Sequence, residues 1–154
     1  MRLSEILAPQ GVRYITQVTS KKRLFHDLGA LAEDAFAIRS SLAVEALMER
    51  EALGPTGVGH GVALPHARLD CIDRVCGLFV RIEKAVDFDA VDRQPVDLLF
   101  ALFAPSDTGV EHLKALALVS RTMRDPGVCS KLRANTDTAS LHAILTEGPA
   151  SQAA

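Results

Sequence analysis

Apolar residues recur along the chain with two different periods, and the changes between them mark the elements. Over residues 21–35, Leu24, Leu28, Leu31, Ala32 and Ala35 follow helical spacing and leave Lys21, Lys22, Asp27 and Glu33 for solvent. Thr19 or Ser20 supplies the N-cap. A second helix is expected after a Ser40–Ser41 cap, with Val44, Leu47, Met48 and Leu53 inward, Glu45, Glu49 and Glu51 outward, and Gly54 as its stop. Residues 12–18 and 75–82 read as strands, residues 62–64 as a short buried one, and residues 85–88 extend the sheet before a turn at 92–95. Residues 96–104 form a near-continuous apolar run between Pro95 and Pro105, the pattern of a strand covered on both faces. A long helix is then expected over residues 110–124, its inner face made by Leu113, Leu116, Ala117, Val119, Ser120 and Met123. Asp125, Pro126 and Gly127 end it; shorter helices follow over 128–134 and 139–146, the last capped by Asp137 or Thr138, and residues 3–7 make a helical turn at the start. This order implies a single α/β domain over residues 1–147, with a mixed sheet of about four to five strands flanked by helices on both faces. Residues 148–154 are expected as a frayed tail.

Composition narrows the function classes. The chain has 154 residues, 17 basic and 19 acidic side chains and a net charge of −2, so it lacks the cationic surface that nucleic acid demands. Six Phe, one Tyr and no Trp leave no basic stripe interleaved with aromatics. Charges interrupt every apolar run before it reaches membrane-spanning length, and the first residues lack the apolar core of a signal peptide, which implies a cytoplasmic soluble protein. Cys71, Cys76 and Cys129 fit reduced thiols better than a disulfide framework. No cofactor is needed to explain folding at this length.

The candidate chemistry gathers after Gly54. Four glycines in the eight residues from Gly54 to Gly61 give a backbone that can turn sharply and approach a ligand, and Pro65 then delivers His66 just past a short strand. His112 lies in the first turn of the long helix, where backbone amides lack intrahelical partners and the positive end of the helix favours an anion. Arg50 stands in the last turn before the glycines. Two readings are open for it: complementing the helix C-terminus, or facing a ligand. If His112 faces His66, the two imidazoles, the helix amides and Arg50 make a phosphate-sized pocket. His26 and His142 lie away from the glycine loop and read as structural. Three functions can use such a stretch. In phosphoryl transfer, neutral His66 attacks a donor phosphohistidine. In a metal hydrolase, His60, His66, Cys71 and Cys76 are ligands, at a spacing that matches no standard zinc pattern. In a binding module the loop is only a turn. Serine nucleophile chemistry has no Gly-x-Ser-x-Gly to support it.

A resemblance separates these. The run from Arg50 through Leu53-Gly54, Thr56-Gly57-Val58-Gly59, Gly61-Val62-Ala63-Leu64-Pro65-His66 resembles the active-site signature of the enzyme IIA domains of the fructose/mannitol class in the bacterial phosphotransferase system. Residues 87–102 and 111–117 are similar to the same family's second half, and residues 88–103 to its nitrogen-regulatory branch, whose members are stand-alone regulators. The resemblance implies that His66 accepts the phosphoryl group through Nε2, that His112 helps hold and neutralise it, and that Arg50 lies beside it. It also implies that Thr56, Gly57, Gly59 and Gly61 line the phosphate with hydroxyl and amide donors. Such a transfer requires no metal, and no cofactor is expected. Pro55 departs from the family's usual small polar residue, and His60 from a frequent Asn; His60 is either a third imidazole near the phosphate or an exposed loop residue. By the same resemblance, phosphoenolpyruvate, enzyme I and an HPr-like nitrogen-branch carrier supply the phosphoryl group, and regulatory targets such as potassium-transport or sensor-kinase systems read the outcome. The alternative is a sugar-specific enzyme IIA that hands phosphate to a IIB domain.

Overall fold

The apolar run between two prolines becomes strand β6 (Val96–Pro105), buried at nine of its ten positions. Its side chains alternate between two clusters, Leu99, Ala101 and Phe103 on one face and Leu98, Phe100 and Leu102 on the other, which is why the run carries no polar face. Strand β5 (Cys76–Val86) pairs antiparallel along one edge of β6, and β1 (Leu7–Ile15) adds in parallel outside β5. Along the other edge two short strands follow each other. β3 (Val62–Ala63) runs parallel to Leu98 and Leu99, and β4 (His66–Leu69) parallel to residues 102–105. β2 (Gly57–Gly59) closes that side, antiparallel to β3, giving the order β1-β5-β6-β3-β2 with β4 on the same edge of β6 as β3. The computed structural model describes residues 1–107 and 109–152.

Helices cover both faces. α2 (Lys21–Phe36) and α3 (Ser40–Ala52) pack Leu24, Leu28 and Leu47 on one face of the sheet. On the other lie α1 (Leu3–Ile6), α4 (Val110–Met123), α5 (Pro126–Arg133) and α6 (Thr138–Gln152), through Ile6, Val119, Leu132 and Leu141. His142 of α6 bonds through Nε2 to the Leu7 carbonyl at 2.9 Å and so ties the last helix to the first strand; His26 is exposed. None of the described helices is long and apolar enough to cross a membrane. All three cysteines are unbridged, Cys71 exposed and Cys76 and Cys129 buried.

The expected α/β layering stands, and the differences from expectation have local causes. The sheet has six strands because β2 and β4, three and four residues long, are too short to show a period. β1 starts at Leu7 and spans Pro9, which an edge strand tolerates, with an irregular register between Leu7 and Val12. At the start of α3 neither serine caps; the N-cap is Arg39, and the Ser40 amide donates to Glu33 Oε1 of α2 at 3.1 Å. Leu53 is 84% exposed rather than inward, since α3 ends at Ala52. The buried stripe of α4 is His112, Ala115, Val119, Thr122 and Met123, about one position from the expected one. A polarity pattern prefers Leu113 to His112 for the inside; the fold buries the imidazole and leaves Leu113 64% exposed. α5 begins at Pro126 because Asp125 Oδ1 accepts from the amides of Gly127 and Val128 at 2.8 and 3.1 Å. α6 runs past the expected end at 146 to Gln152, into the segment expected as a tail; residues 153 and 154 lie outside the described residues.

Gly29 lets α2 and α3 meet closely: a Cβ there would lie 2.5 Å from Val44 Cγ2 and 2.9 Å from the Ser40 carbonyl oxygen. Replacing an exposed helical glycine by alanine gains about 1 kcal/mol, whereas overpacking a core costs about 1–3 kcal/mol. We expect Gly29→Ala to lose up to about 2 kcal/mol net, read as a lower urea midpoint at unchanged slope. A raised midpoint would mean that the two helices can part freely.

Candidate active site

Between β3 and β4 the pairing with β6 is interrupted at Leu64 and Pro65. Pro65 has no amide hydrogen, and its carbonyl accepts from the Leu102 amide at 3.0 Å. The Leu64 amide donates to the Thr56 carbonyl at 2.9 Å, and the Leu64 carbonyl meets the imidazole two residues on. His66 Nδ1 donates to it at 2.9 Å. A carbonyl only accepts, so Nδ1 holds the proton and Nε2 of the neutral ring carries a bare lone pair.

His112 meets this ring from α4, with centroids 5.7 Å apart and planes at 47°. It is 7% exposed, and its Nδ1 is buried with no hydrogen-bond partner among the described residues. Burial first, then the Arg68 guanidinium and the neighbouring His66, push its pKa below the ordinary imidazole value. Arg50, at the end of α3, donates from Nη1 to the Gly54 carbonyl at 2.9 Å. One cavity of about 420 Å³ takes in Arg50, His66, Arg68 and His112, with Leu53 at its apolar side. Arg50 therefore faces a cavity instead of only completing a helix end. Arg68 escaped the sequence reading; the available signal was its place two residues after His66, which in strand β4 puts both on one face. Its Nη1 donates to the Ser106 carbonyl at 3.4 Å.

The structure does not bring Thr56, Gly57, Gly59 or Gly61 into that cavity. Thr56 is buried, and its amide and hydroxyl both donate to Glu51, at 2.9 and 2.5 Å, while Lys21 Nζ sits 2.8 Å from the same carboxylate. Arg50 and Glu51 thus divide the end of α3, one at the cavity and the other anchoring the loop. The glycines build a hairpin. His60 and Gly61, with φ of 58° and 78°, provide the two positive angles that a two-residue type I′ turn needs between β2 and β3. Arg133 of α5 clasps the turn, bonding Asp97 through two nitrogens at 2.9 Å each and the His60 carbonyl at 2.8 Å. Asp92 holds it from the other side, accepting from the amides of His60 and Gln94, bonds that keep its pKa below the usual carboxylate value. The His60 side chain is exposed and lines a different cavity from His66; Cys71 and Cys76 line a third. Among the described residues no three metal-ligating side chains gather.

A nucleophilic imidazole nitrogen beside a second imidazole and two guanidiniums suits a reaction in which an anionic group arrives on a histidine. Residues 5–148 match the family described as the phosphoenolpyruvate-dependent sugar phosphotransferase system, EIIA 2, and the chain belongs to it as a component of that phosphotransfer system. A nitrogen regulatory protein of Bradyrhizobium diazoefficiens is 39% identical over 153 residues, 99% of this chain and 100% of that protein. The crystal structure of nitrogen regulatory protein IIA-Ntr from Neisseria meningitidis superposes with a TM-score of 0.87 at 35% identity, covering 94% of this chain and 99% of that one. A PTS system fructose-specific EIIA component of Haloferax volcanii is 36% identical over 105 residues, 68% of each chain.

His112 binds a proton less readily in the folded than in the unfolded chain. Between its lowered folded value and 6.5, the unfolded chain holds the extra proton, so stability falls as pH drops through this window and levels off above it. His112→Gln should remove that contribution, giving a smaller drop in urea midpoint between about pH 7.5 and about pH 5.5 than the wild type shows. Equal drops in the two proteins would assign the slope to another group.

Proposed function

We propose that the protein is a phosphohistidine phosphocarrier and regulator of the nitrogen branch of the phosphotransferase system. It takes a phosphoryl group from an HPr-like carrier onto His66, and its phosphorylation state decides which proteins it binds. The observation that carries this reading is the Leu64 carbonyl on His66 Nδ1, which leaves Nε2 as the free nucleophile. As the bond from Nε2 to phosphorus forms, the bond from phosphorus to the donor's histidine breaks, and that nitrogen leaves with the electron pair. The proton stays on Nδ1, donated to the Leu64 carbonyl, whose dipole steadies the positive charge of the phosphorylated ring. His112, with Nδ1 a buried bare acceptor, keeps its proton on Nε2 and donates it to a phosphoryl oxygen. Arg50 and Arg68 offset the oxygens' charge. Thr56, Gly57, Gly59 and Gly61 act by shaping the chain that leads to His66.

The carrier receives the phosphoryl group by way of enzyme I from phosphoenolpyruvate. Leu53, Val110 and Leu113 are 84, 63 and 64% exposed around the cavity mouth and on the first turn of α4, and offer the carrier an apolar contact surface. Transfer adds about −1.5 to −2 charges at neutral pH, enough to dismiss an acidic partner or recruit a basic one; targets of the potassium-transport or sensor-kinase kind fit such a switch. The likeness to a fructose-specific component favours a second reading, a sugar-specific enzyme IIA that passes the group to a IIB domain. Transfer of label from the phosphorylated protein to a IIB domain would select it.

Intact-mass measurement after incubation with phosphoenolpyruvate, enzyme I and the nitrogen-branch carrier should find one acid-labile phosphate on the wild type and none on His66→Ala. Arg50→Gln should slow uptake by about 10²-fold, the usual loss when one preorganised charge-stabilising donor is removed. A wild type that stays unmodified would overturn the acceptor assignment.

A further inference from the structure

A second cavity, of about 560 Å³, opens between the β2–β3 hairpin and helices α4 and α5, and it shares no lining residue with the cavity at His66. Its floor is apolar, formed by the buried side chains of Val62, Leu64 and Met123. No carboxylate lines it. Of its two guanidiniums, Arg133 is neutralised by the paired bonds to Asp97. Arg124 makes one long bond, from Nε to the Ser120 carbonyl at 3.4 Å, and its two Nη groups have no partner among the described residues. The Ser120 and Ser130 hydroxyls at the same cavity are also without hydrogen bonds there.

We propose that this cavity is a binding site for a small organic carboxylate with an apolar tail. The carboxylate pairs with the fork of Arg124 and takes hydrogen bonds from the serine hydroxyls, and the tail covers Val62, Leu64 and Met123. One unneutralised guanidinium suits a monoanion, whereas a phosphate dianion calls for a second free cation, and the apolar floor selects for a ligand with a hydrocarbon body. Occupancy reaches the other cavity through a single residue. The Leu64 side chain is part of this floor, and its carbonyl holds His66 Nδ1, so a ligand packed on Leu64 bears on the imidazole's orientation. This coupling depends on the hydrogen bond alone and stands apart from the phosphoryl-transfer reading.

The test is a ¹H–¹⁵N NMR titration of the full chain with hexanoate and with phenylacetate. Hexanamide serves as the neutral control, and Arg124→Gln and Arg121→Gln are run beside the wild type. Saturable shifts over residues 58–64 and 120–133 that extend to the His66 ring are expected, with affinity about tenfold weaker for hexanamide and for Arg124→Gln, and unchanged for Arg121→Gln. Three results overturn the proposal: no saturable shift with either acid, shifts centred on Arg50 and Arg68, or wild-type affinity in Arg124→Gln.

Discussion

The backbone at Leu64 and Pro65 decides where the His66 imidazole stands. The Pro65 carbonyl faces β6 and accepts from the Leu102 amide, so the groups of Leu64 face the other way, the amide to the Thr56 carbonyl and the carbonyl to His66 Nδ1. The register on either side, Ala63 against Leu99 and His66 against Leu102, keeps the backbone fixed to the most buried strand of the protein. His66, the first residue of β4, thereby gains the positional precision of a core strand. The surrounding hairpin, the Glu51 anchor and the Arg133 clasp all maintain this short segment.

Charge is sorted around the same segment with little redundancy. Glu51 faces Lys21 and Thr56 on one side of the α3 end, and Arg50 faces the cavity on the other, so consecutive residues of opposite sign serve the frame and the site separately. Lys21 also lies 4.6 Å from the centre of the Phe88 ring, which joins α2 to the loop after β5. His112 shows the opposite situation. A buried ring nitrogen without a partner is a standing cost to stability, as expected where the surroundings are arranged for a reaction instead of for folding.

Much of this was legible in the chain itself, and the reasons follow particular residues. β6 announced itself because burial on both faces removes every polar position between two prolines, and α2 because its stripe is regular. The phase of α4 was not legible: the fold places a histidine inside and a leucine outside, against hydrophobicity, and the buried imidazole packs against that of His66 in β4. His66, His112 and Arg50 could be named, yet only the tertiary structure places them in one cavity. The hairpin was less legible. Glycine density suits both wrapping an anion and a tight turn, and the turn is held by Arg133, Asp92 and Asp97, far along the chain. Arg68 went unnoticed because one cation after a strand histidine has no distinguishing pattern until the strand's face is known.

The two ends of the sheet bear on how the molecule meets other proteins. β1 carries Pro9 and an irregular register, and β2 is three residues long, with the Gly57 carbonyl already taken by the Val91 amide at 3.3 Å. Pro9 and the shortness of β2 leave each edge little continuous main chain on which an incoming strand could add. Contacts built from side chains form and dissolve without rearranging a sheet.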